Sequence, residues 1–168
     1  MKGDNTIDQF GLYGTQTITH SQNKPGARNI ASTWRDAAGN LWLLGGLGMG
    51  ASQYGFLNDL WKFDPASNKW TWMKGDAEPE QLPVYGSCGS SASGNKPGGI
   101  YSGISWVDGS GKFWLFGGYG YGSDGVGLLN ALWSYDPSLN EWTWVMGDQQ
   151  INSTGRYGTN GVAHAQNM

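Results

Sequence analysis

The side chains able to do acid–base, metal or nucleophilic chemistry are few and scattered in this chain. His20 and His164 are the only histidines, and Cys88 is the only cysteine. One cysteine excludes an intrachain disulfide framework and any cysteine-based zinc site. A lone thiol with no paired base reads as an inert small residue rather than a nucleophile. The aspartates recur in three settings: after Gly at Asp4, Asp76 and Asp148, opening a turn at Asp36 and Asp108, and before Pro at Asp64 and Asp136. Carboxylates so placed cap turns by accepting from nearby backbone N–H groups. Calcium coordination in the Gly-Asp loops is the sharper alternative, but the fixed spacing of oxygen ligands that such a site needs is missing. No nucleophile–base–acid constellation can be assembled. The expectation is therefore no catalytic residue, no metal ligand set and no cofactor.

What positions these residues is a repeat. Adding 72 to a residue number carries the segment 3–74 onto 75–146 without a gap, and a third copy starts at Gly147-Asp148 and occupies 147–168. The shift moves Tyr13-Gly14 onto Tyr85-Gly86, Gly45-Gly46 onto Gly117-Gly118, and Trp70-Thr71-Trp72 onto Trp142-Thr143-Trp144. His20 and His164 share one phase, but Ala92 stands there in the middle copy, so the histidines read as polar loop residues. A repeated unit of this length cannot bury its apolar face alone.

Composition sets the fold class. With 29 Gly, 10 Trp, 8 Tyr and 5 Phe, the chain disfavours long helices and favours strands. The net charge of −3 and scattered basic residues leave no stripe for nucleic acid. No apolar run is long enough to cross a membrane, and no secretion signal is visible. Met1-Lys2 matches Met73-Lys74, which reads as a chain cut from inside a longer array, or else a short chain that completes its array by self-association.

Within the first copy the pattern predicts four strands: 29–35, 41–44, 57–63 and 69–73. Tight turns are expected at 36–40 and 64–68, and a Gly-rich loop at 47–56. The second copy should give strands near 100–107, 112–116, 129–135 and 141–145. Four short antiparallel strands in an up-and-down order, repeated in tandem, make an all-β fold of propeller-like blades. In such a sheet the loops after strands two and four emerge together, so 47–56 and 75–99 should decorate one end, where recognition usually resides.

Gly45-Gly46, Phe63 and Trp70, with Gly117-Gly118, Tyr135 and Trp142 at identical spacing, resemble the kelch repeat. The whole unit is similar to long kelch-type arrays of bacterial proteins, with Leu57-Asn58-Asp59-Leu60-Trp61 in order. Two departures stand out: the period exceeds the usual length of about 50 residues, and Ala27-Arg28 becomes Gly99-Ile100. The resemblance implies kelch-type blades of four antiparallel strands, an incomplete propeller of about two blades plus a trailing loop. It further implies an extracellular or cell-envelope location and a non-catalytic module binding protein or glycan. Two alternatives are part of a sugar-oxidising or sugar-isomerising propeller whose active site lies in other blades, and a purely structural surface repeat. The Cys–Tyr and His–His–Tyr sets of the copper-radical oxidases have no matching positions here. Tryptophans that recur at one phase read as packing between sheets. Residues that differ between copies at the long-loop end are the binding candidates: Arg28, Met49, Gln53, Tyr54, Tyr119, Tyr121 and Asp124. The stretch from Tyr119 to Asp124 could offer rings to a sugar or peptide, or simply pack its tyrosines on a neighbouring loop.

Overall fold

The computed structural model describes residues 3–163 of the 168. Met1, Lys2 and 164–168, His164 among them, lie outside the described residues. Among those described there is no helix, and the chain is all-β with every strand pair antiparallel. The first sheet contains β1 (Arg28–Asn29), β2 (Ser32–Arg35), β3 (Leu41–Met49), β4 (Tyr54–Asp64) and β5 (Lys69–Lys74). Strands β1 and β2 both pair with β3, which pairs with β4, which pairs with β5. The second copy holds β6 (Ser91–Ala92), β7 (Ile100–Tyr101), β8 (Ile104–Val107) and β9 (Phe113–Phe116), then β10 (Tyr119–Tyr121), β11 (Val126–Leu128), β12 (Leu132–Asp136) and β13 (Glu141–Met146). Its register repeats the first: Trp34 faces Trp42 as Trp106 faces Trp114, and Trp61 faces Trp72 as Trp133 faces Trp144.

Two expectations about local structure are corrected. The segment 47–56 is not a loop. Strands β3 and β4 run through it as one long hairpin, closed where Gly50 N–H donates to Gln53 O at 2.7 Å. Gly45 and Gly46, at φ 61° and 98°, make a bulge rather than a stop, and the register shifts between Leu44 and Gly46. Glycine is needed there because a Cβ on Gly45 would lie 2.6 Å from Ile100 O of the next copy. At Gly117-Gly118 the hairpin does part, into β9 and β10. The expected strand 29–35 is likewise interrupted at Ile30, where φ is 50°, an unfavourable value for a β-branched residue; Ser102 repeats it at 62°.

The first sheet packs face to face on the second copy, whose strands form a five-stranded sheet (β6-β13-β12-β9-β8) and a separate three-stranded one (β11-β10-β7). Trp34, Trp42, Leu44 and Leu60 of the first meet Ile100, Phe113, Tyr135 and Trp142 of the second in one buried cluster. Trp34 stacks on Phe113 at 5.5 Å, and its indole N–H donates to Trp114 O at 3.1 Å. Both outer strands are covered by the start of their own copy. Thr17 N–H donates to Trp72 O beside β5, and β6 pairs with β13. Such cover keeps an edge from templating another strand.

The sequence period and the packed unit are out of step. Residues 77–80 do not lie on the second sheet but clasp the hairpin of the first: Ala51 N–H donates to Ala77 O, and Glu80 N–H to Phe56 O, both at 2.8 Å. Asn152 repeats the clasp on the second hairpin, its N–H donating to Leu128 O at 2.8 Å. Asp8, Glu80 and Asn152 share one phase and one left-handed backbone, with φ 55°, 65° and 54°.

Candidate functional site

The hairpin tips and the clasping connectors crowd one end of the molecule, and the candidate residues divide there into three groups. Arg28, Met49 and Tyr54 line a cleft of about 370 Å³ with Ile7 and Asp8. Met49 and Tyr54 are cross-strand partners, and Tyr54 is 60% exposed. Arg28 itself is turned inward. Its side chain is 6% exposed and forks onto Asp59, Nη1 to Oδ1 at 2.5 Å and Nη2 to Oδ2 at 2.8 Å, with a further donation to Gly45 O at 3.0 Å. Asp59 also accepts from the Tyr13 hydroxyl at 2.7 Å and the Trp61 indole at 2.6 Å. Burial alone would lower the Arg28 guanidinium, but the charge and hydrogen bonds of Asp59 outweigh it and hold it above its ordinary value. Burial, then the Asp59 charge, pushes the Tyr13 phenol far up. In the second copy Ile100 replaces Arg28 and Ala131 replaces Asp59, so the pair is lost as a unit. Tyr85 keeps the Tyr13 place and donates to Gln149 O at 3.1 Å; burial, with the Asp124 charge, pushes it up to about 12.

The second group straddles the seam between the copies. Phe56 of the first hairpin stacks on Tyr101 at 5.5 Å and meets Tyr119 and Tyr121 edge-on at 6.0 and 6.2 Å. The tyrosines thus pack on a neighbouring element and stay half-buried, Tyr101 and Tyr119 bordering a cleft. The Tyr121 hydroxyl donates to Glu80, and that hydrogen bond raises its pKa. Glu80 Oε1 meanwhile accepts from Phe56 N–H at 2.7 Å, so one carboxylate joins both copies. Phe56, Tyr101 and Glu80 are not among the sequence candidates, because the Gly-rich pattern makes Phe56 the end of a loop rather than part of β4.

In the third group, Gln53 closes the first tip through its backbone, and Asp124 accepts from Ile151 N–H at 2.9 Å in the second. These two stand apart from the seam.

The remaining acid–base groups have local partners. His20 is exposed, its Nδ1 accepting from Gln22 N–H at 3.2 Å. Cys88 is exposed and 3.2 Å from Val145 O. Asp4 pairs with Lys24 and Asp76 with Lys96, while Asp76 and Asp148 also accept from Asn58 and Asn130 of the preceding copy. Among the described residues no three of His, Cys, Asp and Glu converge as a metal site would require.

The turn aspartates accept as their positions predict. Asp108 takes Ser110 N–H at 2.8 Å and the Trp114 indole at 2.7 Å, and Asp136 takes Ser138 N–H at 2.9 Å. The hydrogen bonds from Ser110 and Ser138 come first among the causes that lower these two carboxyls. A depressed carboxyl contributes stability above its unfolded value, near 3.8, that is lost as pH falls below it. The urea midpoint should therefore fall between pH 5 and pH 3, windows set by that unfolded value. Asp108→Asn, which keeps a cap but cannot titrate, should show a shallower fall; an unchanged slope would contradict the assignment.

No protein-family model matches the chain, and no curated protein matches it. Among solved structures it is similar to YjhT, with 18% sequence identity and a TM-score of 0.54. The match covers 76% of this chain and 40% of YjhT, so the chain spans less than half the length of that protein. At this identity the likeness concerns the fold alone.

Proposed function

We propose that the chain is a non-catalytic binding module, two kelch-type blades of a larger propeller, which holds a glycan or protein ligand against the end where its hairpin tips and connectors gather. The proposal extends to a bacterial extracellular or cell-envelope setting, on the resemblance of the repeat. The observation that carries it is the seam cluster of Phe56, Tyr101, Tyr119 and Tyr121. Four rings meet at one end of a rigid scaffold, with a hydroxyl and a carboxylate fixed beside them. Aromatic faces with a few convergent polar groups suit a sugar ring or an extended peptide. Rings locked by packing lose little freedom on binding, which favours affinity.

The test is a glycan and peptide array probed with the chain, followed by titration of any hit. Tyr121→Ala should weaken a genuine ligand by about tenfold or more, as truncation of a central aromatic does. Gln53→Ala, away from the seam, should leave it unchanged. Silence across both arrays, or a hit indifferent to Tyr121→Ala, would overturn the reading.

A further inference from the structure

The first sheet shows what the open face of the second sheet lacks. Trp34 is 5% exposed, and its counterpart Trp106 is 42% exposed; Leu44 is 1% exposed and Phe116 41%; Ser32 is 6% exposed and Ile104 64%. The cross-strand pairs Ile104–Phe116 and Trp106–Trp114 put these residues on one face, where the two indoles stack at 5.9 Å. Beside them Leu128, Leu129 and Gly117 bound a cleft of about 530 Å³. In the first sheet the place of that cleft is filled. Ile100 O of the following copy presses on Gly45, whereas only Leu129 O, of the same copy, comes within 4 Å of a Cβ built on Gly117. A face this apolar marks an interaction site.

The matching surface lies on the far side of the first sheet. Phe113, Tyr135 and Trp142, which pack against the Trp34 face, are 0%, 0% and 1% exposed. The same positions in the first copy are Leu41, Phe63 and Trp70, with Leu41 46% exposed and the two rings half-buried. We infer that the chain associates head to tail, the Leu41–Phe63–Trp70 face of one copy seated on the Ile104–Trp106–Phe116 face of a second copy of this chain. The occupant is identified by repetition of an interface already present inside the chain. Residues 5–8 of the incoming copy are not needed as a clasp, because 149–152 already fill that role on the second hairpin. The contact is heterologous, so it closes into a ring or runs on as a filament. The inference rests on the repeat geometry and not on the ligand reading, although Tyr101 and Tyr119 of the seam border the same cleft.

Two exposed substitutions test it. Ile104→Glu removes one face and Leu41→Glu the other. In sedimentation velocity the parent chain should exceed its monomer mass of 18.1 kDa and grow with concentration. Each variant alone should remain monomeric, its association weakened by at least about tenfold. Mixed together, the two should form 1:1 dimers through their intact faces and nothing larger. Far-UV circular dichroism and a melt unchanged from the parent show that each variant is folded; Ile104→Ser, the residue found in the first copy, serves as the milder replacement if Glu unfolds it. A parent chain that stays monomeric at high concentration, an Ile104 variant that associates normally, or a mixture that fails to dimerise would each overturn the inference. Because Tyr101 and Tyr119 of the seam also border this cleft, array binding is read separately, at concentrations where the chain is monomeric.

Discussion

Arg28→Ile alone should destabilise the chain by roughly 3–5 kcal/mol, because it leaves the Asp59 carboxylate buried without its countercharge. The Asp59 side chain is fully buried, and its four donors are the two guanidinium nitrogens, the Tyr13 hydroxyl and the Trp61 indole. The double variant Arg28→Ile with Asp59→Ala should be far milder than the sum of its parts. The molecule already contains this pairing, with Ile100 and Ala131 in the same two places and Tyr85 still buried at 7% exposure. Deleting both members of a buried pair removes the cost of stripping water from two charges as well as their attraction. Urea unfolding followed by tryptophan fluorescence supplies the double-mutant cycle, with a coupling of about 2 kcal/mol or more expected. Strict additivity would show that the pair does not act as a unit.

Trp34→Ala and Trp106→Ala alter the same repeat position and should differ several-fold in effect. Trp34 lies between the sheets, stacked on Phe113, edge-on to Trp142 at 6.5 Å and bonded to Trp114 O. Its truncation leaves a cavity that rigid sheets cannot refill, at a cost of about 3–5 kcal/mol. For a chain of this size that lowers Tm by about 10 °C or more. Trp106, already 42% exposed, should cost about 1 kcal/mol or less at protein concentrations low enough to keep the chain monomeric. Equal losses would mean that the two sheets do not pack on each other as described.

Much of the fold was legible because one signal was read twice. The ungapped repeat located four strands and both Asp-headed turns, and the turns form as their residue types require. The misreadings arose where a local rule met a longer-range demand. Gly45-Gly46 looked like a strand stop; in fact the small residues let Ile100 of the next copy approach, and the strand continues to Met49. A stop at Gly45-Gly46 puts Phe56 in a loop and hides the centre of the aromatic seam; in the structure Phe56 lies within β4. Arg28 differs between copies, which suggests a ligand contact, yet it is turned inward onto Asp59. The companion difference, Asp59 against Ala131, marks a paired exchange of a buried ion pair for apolar residues. The recurrent tryptophans were correctly tied to packing, but identical phase did not mean identical burial: Trp34 and Trp106 differ because only one has a sheet lying over it.

The stagger between sequence period and packed sheet has a practical corollary for dissecting the array. A scissile boundary after Lys74, natural by the repeat alone, would strand the first hairpin without Ala77 and Glu80 while saddling the downstream piece with a dangling leader, residues 75–82, roughly 28 Å long if fully extended. Cutting near Leu82 instead keeps each hairpin with its fastener. Because every fastener belongs covalently to the neighbour, melting should spread along such an array rather than stop at a joint.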